Sequence, residues 1–160
     1  MRLLVVTQKV DRIDPILGFF HRWIEEFALQ CESVIVVGQS VGDFSLPKNV
    51  TVLSLGKEKG MSRFRQVLRF HRFLWMNRRT YDAVLVHMTP IWVTLGLPCS
   101  FCLRKKWYLW YEARGARWPL KSALRLTRKV FSASHAGMPL ETRKSVITGV
   151  EPRKHSSRPS

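Results

Sequence analysis

The sequence predicts an α/β fold, a doubly wound and mostly parallel β-sheet of the Rossmann-like kind within a single domain. Short runs of continuous apolar residues alternate with segments of helical periodicity along almost the whole chain. Because most of these runs do not alternate between apolar and polar residues, they indicate strands that are buried on both faces of a parallel sheet. The length of 160 residues is close to that of one ordinary domain.

The stretch 81–90, YDAVLVHMTP, predicts the central strand and the edge at which a ligand would bind. Residues 83–86 form the strand, and His87 follows at its carboxyl end. Thr89 and Pro90 then supply a helix N-cap and a proline at the first helical position. Ligands of open α/β sheets bind outside the carboxyl ends of the strands, so His87 is a candidate binding residue. A histidine that caps the strand or the core edge explains the pattern equally well.

The other elements follow from the same patterns. A polar and basic tail over 150–160 is expected to be disordered, so the folded domain spans 1–149. The predicted strands cover 2–7, 33–37, 50–55 and 107–111, a short strand begins at 130, and a last one covers 145–148. The predicted helices cover 16–30, 61–79, 91–103 and about 119–128.

Several polar side chains should meet His87 at the carboxyl edge of the sheet, because the ends of parallel strands share one edge. They lie in the loop predicted over 8–15, after the central strand, and after the strand predicted over 107–111, which is rich in aromatic residues. His21, early in the first helix and off its apolar stripe, either faces this cleft or is solvated. The candidate substrate-binding residues are Gln8, Asp11, Asp14, His21, His87, Thr89, Glu112 and Arg114. We assign no catalytic residue and no metal site.

The charge of the chain predicts an anionic partner. Twenty-seven Lys and Arg against eleven Asp and Glu leave a formal charge of +16, which fits nucleic acid, an anionic membrane leaflet or a phosphate-bearing substrate. Arginines on a solvated helix face are the alternative for the predicted helix 61–79. The apolar stripe of this helix is predicted to contain Phe64, Val67, Leu68, Leu74 and Trp75. The cations expected to meet an anionic surface are Arg63, Arg65, Arg69, Arg72, Arg104, Lys105 and Lys106.

Several familiar motifs are missing from the sequence. It has no GxGxxG after the first strand, no P-loop, no GxSxG and no Asp-x-Asp pair. The pair Cys99 and Cys102 lacks a second pair that would complete a zinc site, and three unpatterned cysteines favour a reducing compartment. The stretch 83–103 carries no charge and approaches the length of a membrane span, but polar residues and prolines interrupt it. A strand followed by a buried helix fits it better.

Five segments together resemble a known family. In order they are FFHRWIEEFA (19–28), YDAVLVHMTP (81–90), LWYEARG (109–115), KVFSASHAGMPL (129–140) and VITG (146–149). They look like the N-terminal, acceptor-side domain of the family 4 (group 1) glycosyltransferases of the GT-B fold. The resemblance covers about 2–149 and implies transfer of a hexose, with retention, from a nucleotide-sugar donor to a membrane- or envelope-associated acceptor, as in polysaccharide biosynthesis. The donor would bind a second Rossmann-like domain.

Two departures from the family pattern change what we expect of the isolated chain. Glu112 and Ala113 stand where the family commonly has Thr-His, so a cleft histidine is missing. After the Thr of this segment the family commonly continues Gly-His-Gly-Ile-Asp, whereas here Gly149 is followed by VEP and a polar tail, and the donor domain's Glu, seven residues, Glu motif is absent from the sequence. We therefore expect a truncated chain that binds at most the acceptor. No cofactor is expected, and a nucleotide sugar would bind only with a second domain, or with a separate chain that supplies it.

Two other classes of function stay open. A nucleic-acid-binding module fits the charge and the aromatic residues near arginines, although no RRM, KH or helix-turn-helix signature is present. A non-catalytic membrane-surface protein fits the basic helix. Taken with the resemblance, the charge predicts a cytoplasmic protein, peripherally associated with the inner face of the cell membrane, that meets a sugar or lipid-linked acceptor there.

Overall fold

Strands and helices alternate along the chain in the computed structural model, which describes residues 1–112, 118–135, 137, 138, 140 and 142–148. The strands are β1 (Arg2–Val10), β2 (Ser33–Val41), β3 (Val50–Ser54), β4 (Ala83–His87), β5 (Lys106–Trp110), β6 (Lys129–Ser132) and β7 (Ser145–Ile147). The helices are α1 (Phe19–Gln30), α2 (Arg63–Met76), α3 (Ile91–Leu95), α4 (Leu97–Leu103) and α5 (Trp118–Leu126), with a short 3₁₀ helix at Lys57–Lys59. The predicted tail, 150–160, lies outside the described residues.

The seven strands form one parallel sheet in the order β3-β2-β1-β4-β5-β6-β7. The chain builds outwards in one direction from β1 and in the other from β4, so the strand order reverses between these two strands. This confirms the predicted doubly wound, Rossmann-like sheet. The carboxyl ends of β1 and β4 flank the crevice where such sheets bind ligands.

The two faces of the sheet carry different helices. On one face, here called the covered face, α2, α3, α4 and α5 pack around a large core that includes Phe70, Trp92 and Leu120. On the other face, here called the α1 face, Phe20 and Ile24 of α1 pack on β1 and β2. Right-handed crossovers explain the division, because chains that leave the switch point in opposite directions put their helices on opposite faces.

The first two strands are longer than predicted. β1 was expected to end at residue 7 and β2 at residue 37, but the parallel ladder continues through Lys9 paired with Ser40 to Val10 paired with Val41. Gly38 directly follows the predicted strand 33–37. It lies instead within the strand, where a Cβ atom would meet the carbonyl oxygen of Ser40 at 2.9 Å. The start of the predicted loop 8–15 therefore belongs to β1.

The charge-free stretch 83–103 folds as a strand followed by helix, as predicted, but the helix is split into α3 and α4. The break lies at Gly96, where an added Cβ would collide with the indole ring of Trp107. Close approach to this ring is thus possible only for glycine. In the part of the chain that the structure describes, we find no helix with the length and apolar character needed to cross a bilayer.

The orientation of α2 differs from the prediction. Gln66, Phe70 and Leu74 point into the protein and form one line at helical spacing. Of the predicted stripe, only Leu74 is fully buried and Val67 is half-buried, whereas Phe64, Leu68 and Trp75 are 72%, 54% and 52% exposed. Apolar residues surround most of this helix, so periodicity did not identify the face that packs on the sheet.

Candidate functional site at the carboxyl edge of the sheet

His87 ends β4 at the switch point and is enclosed by β1 and α1. It is only 1% exposed. Its Nδ1 lies 3.2 Å from the hydroxyl oxygen of Thr7 on β1. Its ring stacks on that of Phe20 with 3.8 Å between ring centroids, and Phe19 and Trp23 contact it at 6.2 and 6.1 Å. Of these neighbours, Phe19 is more than half exposed, so the aromatic cluster around His87 reaches the protein surface at this side chain.

Burial lowers the pKa of His87 to about 4, because charging an imidazole away from water is unfavourable. His87 is therefore neutral near pH 7. A neutral imidazole can donate one hydrogen bond and accept another, but it cannot attract an anion by charge. The hydroxyl of Thr7 holds the ring in place through one of its two nitrogens.

Asp11 and Asp14 fold the loop after β1. The ammonium group of Lys9 lies 3.1 Å from Asp11 Oδ2 and 2.7 Å from Asp14 Oδ2. Asp14 Oδ1 also accepts hydrogen bonds from the backbone N–H groups of Ile16 and Leu17 at 2.9 and 2.7 Å. The Lys9 bond and these N–H groups lower the pKa of Asp14 to about 2. Both carboxylates thus shape the entry to α1 at the predicted edge.

His21 lies on a side of α1 that is covered by the rest of the protein. Its Nε2 accepts a hydrogen bond from the backbone N–H of Ser45 at 3.2 Å, and its Nδ1 lies 3.3 Å from Glu25 Oε1. The ring is buried, so the alternative of a solvated histidine is wrong. His21 fastens α1 to the segment between β2 and β3 because that segment passes directly over the helix.

Thr89 does not cap α3, contrary to the prediction. Its hydroxyl donates to the carbonyl oxygen of His87 at 3.1 Å, and Pro90 takes the N-cap position. Met88, between His87 and Thr89, adopts a left-handed φ of 61°. The chain therefore turns sharply here and brings the hydroxyl of Thr89 back to the end of β4. Gln8, predicted in the loop, lies on β1 with an exposed side chain.

Glu112, two residues beyond the end of β5, accepts hydrogen bonds from the last residue of β6 and from the two residues that follow it. Its Oε2 accepts from the N–H of Ala133 at 2.7 Å and from the hydroxyl of Ser132 at 3.1 Å, and its Oε1 accepts from the hydroxyl of Ser134 at 2.9 Å. Burial alone would raise the pKa of Glu112, but these hydrogen bonds outweigh it and lower the pKa. A Cβ on Gly137 would collide with this carboxylate.

The structure brings the ends of β4 and β5 together. The N–H of Met88 donates to the carbonyl oxygen of Trp110 at 2.8 Å, and the N–H of Glu112 donates to the sulfur of Met88 at 3.2 Å. His87 and Glu112 therefore follow one another along the same edge. That they share a pocket with Asp11 and Asp14 and contact an acceptor stays a prediction, and Arg114 lies outside the described residues.

Two features of this edge were missed by sequence reasoning. Trp23 and Trp110 meet edge to face at 4.7 Å beside His87, although the sequence predicts only that Trp23 lies in the helix 16–30 and Trp110 in the strand 107–111. A cavity of about 270 Å³ on the covered face is lined by Lys57, Arg63 and Trp92, among others. It offers two cationic groups near the start of α2. The only signal for it was the position of these cations, one within a glycine-bounded turn and the other just after it.

The cations predicted to meet an anionic surface are mostly exposed. Lys105 is an exception, since its ammonium group donates to the carbonyl oxygen of Tyr81 at 2.6 Å and lies 5.0 Å from the centre of the Tyr81 ring. Arg69 is half-buried and lies 5.6 Å from the centre of the Phe73 ring. The exposed cations are Arg63, Arg65, Arg72, Arg104 and Lys106.

The parallel sheet, its strand order and its helices define a Rossmann-like domain of the kind found in GT-B proteins. The sequence matches no protein-family model and no curated protein. Among solved structures, it is similar to HepE from Anabaena in complex with UDP, with a TM-score of 0.62 and 14% identity over 92% of this chain and 43% of that one. HepE has also been solved in complex with UDP-glucose.

Two further structures share the fold. MurG from Acinetobacter baumannii matches with a TM-score of 0.55 and 14% identity over 98% of this chain and 47% of that one. The UDP-GlcNAc 2-epimerase from Methanocaldococcus jannaschii matches with a TM-score of 0.53 and 12% identity over 91% of this chain and 45% of that one. The chain spans less than half the length of each of these proteins. At such identities the likeness shows the fold, which is glycosyltransferase-like.

Proposed function

We propose that this chain is the acceptor-binding half of a retaining glycosyltransferase that works at a membrane surface. The observation that supports the proposal is the match of almost the whole chain to between 43% and 47% of GT-B proteins, one of which has been solved with UDP and with UDP-glucose. A nucleotide-sugar donor would then bind a second Rossmann-like domain, which is the partner that this half requires. The five segments that resemble family 4 glycosyltransferases favour the acceptor side.

The carboxyl edge of the sheet is the place where the acceptor would bind. His87 is neutral at physiological pH and holds one hydrogen bond to Thr7, so in this proposal it carries no charge. Because its ring is only 1% exposed, it positions an acceptor hydroxyl only after aromatic side chains that pack on it, such as the exposed Phe19, move aside. Phe19, Trp23 and Trp110 beside it offer aromatic surface to a sugar ring. We assign no catalytic base, since the donor half would complete the site.

The outer side of α2 fits an anionic membrane. Phe64, Leu68 and Trp75 are exposed on it, and the exposed arginines 63, 65 and 72 lie on the same helix. Apolar side chains of such a helix enter the lipid interface while its cations stay at the headgroups. Each cation near an anionic leaflet contributes on the order of 1 kcal/mol. The structure thus supports peripheral association with the inner face of the cell membrane.

Sedimentation with liposomes tests the membrane part of the proposal. We expect the chain to sediment with vesicles that contain phosphatidylglycerol and to remain in the supernatant with neutral phosphatidylcholine vesicles. It should dissociate from the anionic vesicles as salt increases. The double variant Phe64→Ser/Trp75→Ser should bind several-fold less. Leu29→Ser, which removes an equally exposed apolar side chain from α1, is the matched control and should bind normally.

Two outcomes would contradict this assignment. Equal recovery with neutral and anionic vesicles would remove the membrane surface from the proposal. Tighter, salt-sensitive binding to duplex DNA would favour the nucleic-acid-binding module instead.

Calorimetric titration with UDP-glucose tests the acceptor-side assignment. Because the donor would bind the second domain, the isolated chain should show no saturable binding that distinguishes UDP-glucose from pyrophosphate. Pyrophosphate controls for attraction of any polyanion to a chain with a formal charge of +16. A selective, saturable response to UDP-glucose would place the donor site in this half and refute the assignment.

A further inference from the structure

The two faces of β4, β5 and β6 are covered to different extents. Residues that point to the covered face, such as Val84, Leu109 and Val130, are fully buried. Several of their neighbours on the α1 face are only half-buried, namely Leu85, Tyr108, Trp110 and Phe131. The strands are paired in register across this face, so the half-buried side chains form one continuous apolar surface.

The part of the chain that the structure describes contains only one helix on this side of the sheet. That helix is α1, and its buried residues pack with Leu3 and Val5 of β1 and Val34 and Val36 of β2. The buried residues of the remaining described helices belong to the core of the covered face. Parallel sheets are ordinarily covered by helices on both faces, because their strands are apolar on both sides. A layer over β4, β5 and β6 is therefore missing from the described residues.

A recess lies where this layer would pack. It is a cavity of about 610 Å³ between the flank of α1 and the strands. We call it the open groove and define it by Leu3, Phe27, Leu85, Tyr108 and Phe131. Its rim carries three exposed cations, Lys106, Arg128 and Lys129, and no carboxylate belongs to its described lining.

We propose that the open groove is the docking site of an amphipathic helix of a partner polypeptide, which lays its apolar stripe on β4, β5 and β6 and its acidic side chains against the rim. A helix is the element that ordinarily covers a parallel sheet. The acidic flank follows from charge complementarity with Lys106, Arg128 and Lys129. This proposal does not depend on the proposed glycosyltransferase function.

Two other occupants fit the groove less well. A second copy of the chain would bring the same cations and a formal charge of +16 against themselves, which opposes association. A bilayer is a broad surface that takes up protruding side chains, such as those of α2, whereas the open groove is recessed beside α1.

A labelled synthetic peptide tests the proposal with the full 160-residue chain. The probe has leucines at helical spacing and glutamates elsewhere, over about 18 residues, which is about 27 Å of helix. We expect saturable binding by fluorescence anisotropy. Phe131→Lys, which puts a charge in the groove, should weaken binding at least about tenfold, because burying an unpaired charge is costly. Phe64→Lys, on an exposed aromatic residue of α2, should leave it unchanged.

A charge-reversal variant keeps the test decisive if Phe131→Lys fails to fold. Lys106→Glu/Lys129→Glu alters only exposed side chains and should switch the preference from the glutamate peptide to a peptide with the same leucines and lysines elsewhere.

Four outcomes would overturn the proposal. One is that the natural chain does not bind the glutamate peptide. Another is that it binds the glutamate peptide and the lysine peptide equally well. A dimer in sedimentation velocity that Phe131→Lys abolishes would make a second copy the occupant. Loss of anionic-vesicle binding in Phe131→Lys would make a lipid surface the occupant.

Discussion

For His87, the sequence predicts the position of the residue, and the structure shows how its side chain is packed. Its position at the end of β4 follows directly from the sequence pattern. Its surroundings do not, since Thr7 comes from β1 and Phe20 from α1. The stacked, buried ring adds to the stability of the domain in its neutral form, so replacing it by alanine would open a cavity as well as change the site.

The pKa of His87 predicts how stability depends on pH. The folded value of about 4 lies below the ordinary value of about 6.5, so the unfolded chain takes up a proton that the folded chain does not. The contribution is therefore fully present above about pH 6.5 and is lost as the pH falls towards 4, by up to about 1.4 kcal/mol per pH unit. Urea unfolding at a series of pH values measures it.

The variant His87→Gln provides the control for this prediction. It should unfold with a weaker dependence on pH between about 6.5 and 4 than the natural chain. Asp14 and Asp82, whose pKa values are lowered to about 2 by Lys9 and Arg2, lose their contributions at more acidic pH. Identical slopes in the two proteins would mean that His87 is not neutral and buried.

Gly137 and Glu112 form a second test at this scale. Gly137→Ala should destabilise the domain by about 1–3 kcal/mol, because the new methyl group would meet the Glu112 carboxylate. In the background of Glu112→Ala the same change should cost clearly less. Thermal or urea unfolding of the four proteins completes the cycle, and additive costs would show that the two residues do not touch.

At the scale of elements, α2 shows why an apolar pattern does not determine which side of a helix is buried. Its sequence places apolar side chains on two sides, at Phe70 and Leu74 and at Phe64 and Leu68. Only the first pair meets the sheet. The second pair remains exposed together with Trp75, and this outer side is the one that we assign to the membrane.

Two alanine substitutions test the orientation of α2. Phe70→Ala should lower the free energy of unfolding by about 3–5 kcal/mol, because it leaves a cavity against the sheet. Phe64→Ala should change it by less than about 0.5 kcal/mol, since this side chain lies in solvent. Urea unfolding of both variants is the measurement. A larger cost for Phe64→Ala would mean that the helix is turned the other way.

At the scale of the whole molecule, the formal charge of +16 opposes folding through repulsion between cations. Ion pairs such as Arg2 with Asp82 at 2.7 Å and Arg12 with Asp43 at 2.9 Å involve side chains that are about one-third to one-half exposed, so they offset this repulsion only slightly.

The melting temperature should therefore rise with moderate salt. Between about 0.01 M and 0.15 M ionic strength the screening length falls from about 30 Å to about 8 Å, which relieves repulsion between distant cations more than it weakens contacting pairs. Differential scanning fluorimetry in sodium chloride measures the shift. A melting temperature that falls over this range would show that attraction within ion pairs outweighs the repulsion.

The sequence by itself determined the class of fold and the residues that end the strands at the carboxyl edge of the sheet. Runs such as 33–37 and 83–86 read as parallel strands because burial on both faces leaves no polar positions in between. Strand ends then place His87 and Glu112 at one edge, since parallel strands end together. These inferences use only neighbours along the chain, which the sequence lists in order.

The tertiary structure alone decided what those side chains do. Glu112 is bonded to Ser132 and Ser134, and His87 is enclosed by α1, because the ends of separate strands and helices converge there. The same holds for the outer face of α2 and for the open groove. Which surfaces become buried depends on the elements packed against them, and that information lies in the joint packing of distant segments and not in any local pattern.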